Sequence, residues 1–102
     1  MSHTIRLRDP WQHAPIQAGG MRWTRAFHRP TGLTERETVW LVVSGETSGV
    51  RLGGQLLTAS GAGPGSHYDI TARLADHNRL TVEVPQADVK RPFEVCLEIR
   101  EQ

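Results

Sequence analysis

Residues 49–84 constrain the fold of this chain more than any other part of its sequence. They read as a short strand, a two-glycine turn, a second strand, a glycine-rich loop, a short turn that begins at an aspartate, and another strand. Gly53 and Gly54 separate two strand-like runs. A two-residue hairpin turn needs positive φ at its central positions, which glycine adopts without steric cost. This order of elements predicts antiparallel strands joined by tight turns.

Alternation of apolar and polar residues predicts further strands on both sides of that stretch. The run 39–43 is continuously apolar, and its short length and charged flanks indicate a buried strand rather than a helix. Residues 12–20 and 60–66 are interpreted as loops and residues 76–78 as a turn. About eight short strands result, and the best defined lie at residues 4–8, 21–28, 39–43, 50–52, 55–59, 80–84 and 93–99. Closely spaced strands with glycine and proline turns indicate a β-sandwich or barrel.

The size and charge of the chain limit its organisation and its partners. A chain of 102 residues is expected to form one domain, residues 1–102, around a single core. The hydrophobic fraction of 37% fits a two-layer β protein. The 12 basic and 11 acidic residues leave a net charge of +1, whereas a nucleic-acid-binding protein needs a concentrated basic face. We therefore expect no nucleic-acid partner.

Cysteine content and hydropathy bear on where the protein works. Cys96 is the only cysteine, so no internal disulfide can form. No apolar run approaches the length of about 20 residues that spans a membrane, and no signal sequence begins the chain. These observations lead us to expect a cytoplasmic protein without a membrane partner.

Several motifs follow one another in a set order and spacing. They are WTRAF at residues 23–27, an apolar run with a final glycine at 39–45, VRLGG at 50–54, YDIT at 68–71 and NRLTVEV at 78–84. This series resembles the N-terminal sugar-binding domain of family 2 glycoside hydrolases, the β-galactosidase and β-glucuronidase group. The resemblance covers residues 21–84, with a last strand at 92–100.

The resemblance implies an all-β fold, a jelly-roll β-sandwich of the galactose-binding-like type. Two departures from the family pattern stand out: Gly53 replaces the usual turn asparagine, and the N-terminal segment is shorter. In these hydrolases the two catalytic glutamates lie in a separate barrel domain, for which 102 residues leave no room. The resemblance therefore implies an accessory module rather than an enzyme.

The aromatic residues are the first candidates for ligand contacts, because sugar-binding modules often place an exposed ring against the apolar face of a pyranose. Trp23 and Trp40 lie in apolar strands and are expected in the core. Trp11 follows a proline in a loop region, so a core position and a ligand-facing position are both open. His67 and Tyr68 border the glycine-rich loop. The candidate ligand-binding residues are therefore Trp11, His67 and Tyr68.

Structural roles are expected for three other residues. Gly53 and Gly54 form the hairpin turn. Asp69 is expected to cap a short helical turn, because its carboxylate can accept from backbone N–H groups two and three residues on. Ile70 and Leu74 then point inward from that turn.

Metal and catalytic chemistry find little support in the sequence. None of the five histidines shows the paired spacing of a zinc site, and no second cysteine is present. We predict no cofactor and no metal site, although some relatives of this fold bind calcium through backbone carbonyls, which the sequence leaves open. Cys96 lacks a recognisable base and is expected to be an inert, packed thiol. No nucleophile elbow, P-loop or dinucleotide fingerprint occurs, so no catalytic residue is assigned.

Three functional hypotheses follow. The first is a non-catalytic carbohydrate-binding or accessory module, which rests on the family resemblance and the tryptophans. The second is a protein-interaction or structural module that associates with itself or with another protein through sheet faces or edges. The third and least supported is a small enzyme.

Overall fold

Two antiparallel sheets make up the protein, and one long strand pair lies at the centre of each. The structure, a computed structural model, describes residues 3–17, 19–59, 65–87 and 90–101. The four-stranded sheet has the order β1-β9-β4-β7, and the five-stranded sheet has the order β2-β3-β8-β5-β6. The strands are β1 (His3–Arg6), β2 (Gln12–Pro15), β3 (Met21–His28), β4 (Glu37–Ser44), β5 (Gly49–Leu52), β6 (Gln55–Leu56), β7 (Ser66–Asp69), β8 (His77–Val84) and β9 (Glu94–Glu101). The predicted jelly-roll β-sandwich is confirmed.

The core forms because alternate residues of the central strands face the other sheet. On β4, Val39, Leu41 and Val43 are almost completely buried. They lie opposite Ile99, Leu97 and Val95 of β9 in the strand register. The five-stranded sheet adds its own inward residues to the same apolar cluster, chiefly Trp23, Phe27, Val50, Leu52, Leu80, Val82 and Val84. Each fully buried aliphatic side chain contributes roughly 1.5–3 kcal/mol to folding, so this alternation fixes the register of every central strand.

Trp40 lies outside the core, contrary to the prediction from the continuous apolar run. Adjacent residues of a strand point to opposite faces, so the burial of Val39 and Leu41 turns Trp40 and Val42 outward. Both outward side chains are only half-buried. Trp23, by contrast, is buried among the core residues as expected.

The predicted Gly53–Gly54 hairpin is present. Leu52 pairs with Gln55 across the turn, and both glycines have positive φ, 59° and 84°. The second strand of this hairpin is only two residues long, much shorter than the predicted 55–59. Part of the predicted 60–66 loop lies outside the described residues.

Three segments differ from the sequence interpretation. Residues 12–15 form β2 rather than a loop, and all four of its side chains are exposed, so no apolar alternation marks it. Ser66–Asp69 forms β7, which pairs with β4 along the edge of the four-stranded sheet. His77 and Asn78 begin β8 rather than forming a turn. These strands exist because neighbouring strands supply hydrogen-bonding partners, not because of their own composition.

The segment Asp69–Ile70–Thr71 connects β7 to a 3₁₀ turn (Thr71–Arg73) and anchors it to β4. The Asp69 carboxylate accepts from the Thr71 backbone N–H at 3.1 Å and from the Thr71 hydroxyl at 2.7 Å. The same hydroxyl oxygen accepts from the Val39 N–H at 2.8 Å. Asp69 thus bonds the N–H two residues on, as expected, but Ile70 holds the N-cap position and no side chain caps the turn. Ile70 is fully buried and Leu74 is half-buried against the core.

Asn78 is the buried polar residue of the described chain, and its amide closes the turn that precedes β8. Its Oδ1 accepts from the Ala75 N–H at 2.9 Å, and its Nδ2 donates to the Ala75 carbonyl at 2.8 Å. Nδ2 also lies 3.4 Å from the Phe27 carbonyl of β3. A side-chain amide can serve both a donor and an acceptor of the backbone, so the asparagine of the NRLTVEV motif has a structural role.

Two glycines allow a test of this architecture. The left-handed conformation of Gly53 leaves open space around an added Cβ, whereas a Cβ at Gly20 would lie 2.2 Å from the Val84 carbonyl oxygen. We expect Gly53→Asn to change the free energy of unfolding by less than about 1 kcal/mol, because asparagine tolerates positive φ. We expect Gly20→Ala to cost about 2 kcal/mol or more, since strain and overlap add. Urea denaturation of the two variants measures this, and equal losses would contradict the turn geometry.

Candidate functional site

The three candidate ligand-binding residues lie apart from one another in the structure. Trp11 is 8% exposed, and its indole N–H donates to the Leu7 carbonyl at 3.1 Å. Its ring contacts Phe93 edge to face, with a centroid distance of 5.3 Å. The Arg91 guanidinium lies over the same tryptophan ring, 5.3 Å from its centroid. The ring is therefore part of the core and does not offer a sugar-stacking surface.

His67 and Tyr68 point to opposite faces of β7, as neighbours in a strand must. Tyr68 is 7% exposed and belongs to the apolar core. His67 lies on the outer face of the four-stranded sheet, where its Nδ1 is 2.9 Å from the Arg100 guanidinium. The two residues therefore do not form one site with each other or with Trp11.

The outer face of the four-stranded sheet carries a compact network around Arg100. Its guanidinium donates twice to the Glu98 carboxylate, at 2.9 and 3.1 Å, and lies 4.5 Å from the centroid of the Trp40 ring. The Trp40 indole N–H donates to the Thr38 hydroxyl at 3.1 Å. These contacts link the polar groups of the network to one another.

Cys96 lies on the same outer face, beside Val42 in the register. Partial burial, and then the charge of Glu98, raise the pKa of the Cys96 thiol above its ordinary value. The thiol is thus held in its neutral, less nucleophilic form. This agrees with the expectation of an inert thiol.

A groove lies on the outer face of the five-stranded sheet. We call it the β3–β8 groove. It has a volume of about 530 Å³ and is lined by Pro10, Gln12, Thr24, Arg25, Ala26, His77, Asn78 and Arg79. The three contributing segments are far apart in sequence and are brought together by strand pairing.

The groove exists because β2 separates from β3 at one point. Gln12 pairs with Thr24 as the last residue pair of these strands. Continuing the register would place Pro10 opposite Ala26, and proline has no N–H with which to extend the ladder. The side of β3 beyond Thr24 therefore faces open space, and β8 forms the rest of the floor through its pairing of Arg79 with Ala26.

Arg25 fixes the wall of the groove at this point of separation. Its Nε donates to the Arg8 carbonyl at 2.6 Å, and an Nη donates to the Ala26 carbonyl at 2.9 Å. The guanidinium thus joins the connection after β1 to the open edge of β3. Because both acceptors are neutral, the positive charge of Arg25 is not cancelled.

A second concavity continues the groove toward the end of β3. We call it the His28 depression; it has a volume of about 610 Å³ and is lined by His28, Arg29, Pro30, Thr31, Gly32, Leu33, Asp76 and His77. His77 borders both concavities. His28 and His77 are paired across the two strands, with ring centroids 4.8 Å apart. The two concavities therefore form one continuous exposed surface.

Metal and membrane sites were also considered. Within residues 3–17, 19–59, 65–87 and 90–101, no three side chains of histidine, cysteine, aspartate or glutamate are arranged to hold a metal ion. In the same part of the chain, no helix has the length and apolar character needed to cross a membrane.

Sequence reasoning missed the β3–β8 groove entirely. Thr24, Ala26 and Arg79 fall within the WTRAF and NRLTVEV motifs, but there they look like ordinary outward positions of strands. The available signal was the alternation itself, which places Thr24, Ala26 and His28 on one outward face. The pairing of β3 with β8, which joins that face to Arg79 and His77, is not readable from a single sequence.

Comparisons with known proteins bear on the fold. Neither the protein-family models nor the curated proteins include a match to this chain. Among solved structures, the chain is similar to part of an FMN-binding β-glucuronidase from Facaelibacterium prausnitzii L2-6, with a TM-score of 0.67 and 16% sequence identity. The match covers 95% of this chain and 22% of that enzyme. The chain therefore shares its fold with a domain-sized part of a much longer glycosidase.

The raised pKa of Cys96 gives a measurable consequence. We expect the rate of alkylation by iodoacetamide to rise with pH around a midpoint above that of a cysteine peptide measured alongside. Because the folded state binds the thiol proton more tightly, stability should be highest below the ordinary thiol range and fall as pH rises through it. The Cys96→Ser variant should lose this part of the pH dependence. A midpoint at or below that of the peptide would contradict the burial of the thiol.

Proposed function

We propose that the protein is a non-catalytic carbohydrate-binding module that holds a saccharide in the β3–β8 groove. The observation that carries the proposal is the lining of the groove, where polar side chains from three strands converge on an open concavity. Its volume of about 530 Å³ falls within the range of roughly 300–1,000 Å³ typical of small-ligand sites.

The chemistry of the lining suits a sugar. Gln12, Thr24 and Arg79 offer an amide, a hydroxyl and a guanidinium. Such groups can donate to and accept from hydroxyl groups, and planar amides and guanidinium groups can bond two neighbouring oxygens at once. Pro10 and Ala26 supply small apolar surfaces against which the C–H face of a pyranose can pack. No aromatic platform is required for this mode.

The same lining argues for binding without hydrolysis. Glycosidases generally use two carboxyl groups that flank the bond to be broken. The lining of the β3–β8 groove contains no aspartate and no glutamate.

The similarity to a glycosidase supports an accessory role in sugar chemistry. The motif series resembles family 2 glycoside hydrolases, and the fold matches part of a β-glucuronidase. We propose that this chain is a galactose-binding-like module related to the sugar-binding domain of that family. In this proposal the module has kept saccharide recognition and has no cofactor of its own.

A bulky residue on the floor of the groove tests the proposal. In ¹H–¹⁵N spectra, saccharide titration should shift the amide signals of Thr24, Ala26 and Arg79. We expect Ala26→Trp to weaken binding at least about tenfold, or roughly 1.4 kcal/mol, because it fills the space that the ligand needs. Ala14→Trp is the matched control, since Ala14 is exposed on β2 outside the groove lining.

Two results would overturn the proposal. One is the absence of any shift with a broad panel of neutral and acidic saccharides. The other is a set of shifts that map to the four-stranded sheet and persist in Ala26→Trp.

A second candidate function is self-association through the outer face of the four-stranded sheet. Trp40, Val42 and Cys96 form a half-buried strip there, instead of the polar residues typical of a solvated sheet face. Charges of both signs border the strip, since Arg6 is in register with Cys96, Asp69 with Trp40, and Glu94 with Ser44. A second copy could therefore match the strip with its own strip and place opposite charges face to face.

Sedimentation velocity distinguishes this candidate from a monomeric module. If the strip associates, the sedimentation coefficient should rise with protein concentration, and Val42→Glu should abolish the rise by burying an unpaired charge. Thr81→Glu, on the outer face of the other sheet, is the control. A concentration-independent monomer up to the solubility limit would exclude self-association.

A further inference from the structure

The β3–β8 groove carries uncompensated positive charge. Its lining includes Arg25 and Arg79 and no carboxylate. The Arg25 guanidinium donates to two neutral carbonyls, those of Arg8 and Ala26. Among the described residues, neither Arg25 nor Arg79 lies within ion-pair distance of a carboxylate.

The other end of the same sheet face contains a carboxylate that pairs with its arginines, and the groove lining has no such carboxylate. Arg22 lies 3.1 Å from the Glu83 carboxylate, and Arg51 lies 3.8 Å from the same group. Glu83 is in register with Arg22 on β3 and with Gly49 on β5, away from the groove lining. At one end of this sheet face the arginines are therefore paired with a carboxylate, whereas at the other end, in the groove, they are not.

The adjoining His28 depression extends the positive region. It adds Arg29, whose guanidinium contacts the Leu74 carbonyl at 3.5 Å. Asp76 is the one acidic residue of its lining. Together the two linings contain three arginines against one carboxylate, in a chain whose net charge is only +1.

We propose that the saccharide held in the β3–β8 groove is acidic, with a carboxylate or sulfate group bound by Arg79 beside Arg25. This inference rests on the proposed function and names its ligand class. An arginine fork can bond the two oxygens of such a group in parallel. The sugar ring then contacts Gln12, Thr24 and Ala26 at the open wall of the groove. The positive region is too small for a nucleic acid, whose backbone requires an extended basic surface.

The test compares two sugars that differ only at C6, which is a carboxylate in one and a hydroxymethyl group in the other. The probes are α-1,4-digalacturonate and its neutral counterpart α-1,4-galactobiose, with inorganic sulfate as an anion that has no sugar ring. Binding to the full chain is measured by calorimetry and by amide chemical shifts. We expect digalacturonate to bind about tenfold or more tightly than galactobiose, and we expect added salt to reduce this difference.

Variants test whether the difference in affinity between the two sugars depends on the Arg79 guanidinium. Arg79→Gln should bring the affinity for digalacturonate to that for galactobiose, and Arg79→Lys should retain part of the difference because it keeps the charge without the fork. Arg51→Gln is the matched control, since Arg51 lies on the same face and is paired with Glu83. Arg79 and Arg51 are both exposed, so each variant should remain folded, and thermal melts check this.

The outcomes separate this inference from the proposed function. Equal or tighter binding of galactobiose in the groove would overturn the acidic ligand and leave the carbohydrate-binding module in place. Sulfate binding as tight as digalacturonate binding would show an anion site without saccharide recognition and would also overturn the inference. If neither sugar shifts the groove amides, the proposed function fails, and the inference fails with it. An affinity difference that survives Arg79→Gln would place the charge recognition elsewhere.

Discussion

The contact between the two sheets is the interaction on which the rest of the structure depends. Residues of β4 such as Leu41 and residues of β8 such as Leu80 are completely buried in one apolar cluster. A shift of one residue in either strand would exchange its inner and outer faces and expose these side chains. The core therefore decides which side chains face solvent. Trp40 on one sheet and Arg79 on the other are on the surface because their neighbours are in the core.

The groove follows from the same pairing together with one interruption. β3 keeps its full pairing with β8, but β2 leaves it after Gln12 pairs with Thr24. Arg25 then bridges the two diverging segments through backbone carbonyls. One arginine thus closes the end of the sandwich and contributes positive charge to the surface beside it. The fold and the candidate binding chemistry are linked at this residue.

Sequence analysis predicted the strands whose inner faces are apolar, and it predicted the Gly53–Gly54 turn. It failed for β2 and β7, because their short sequences show no regular apolar alternation and become strands through the partners beside them. It also placed Trp40 in the core, since a continuous apolar run conceals the alternation that the sheet imposes. Of the ligand-binding candidates, Trp11 and Tyr68 are buried and His67 lies on the four-stranded sheet. The groove was not predicted because its residues meet only after the strands pair.

By itself, the sequence determined an all-β chain with defined turns. These properties are local: they depend on the alternation of neighbouring residues and on glycines that accept positive φ. Only the tertiary structure decided which outward positions adjoin one another, as Ala26 adjoins Arg79 and as His67 adjoins Arg100. The physical reason is that a strand's own residues fix its two faces, whereas its partner strands and their register set the neighbours of each face.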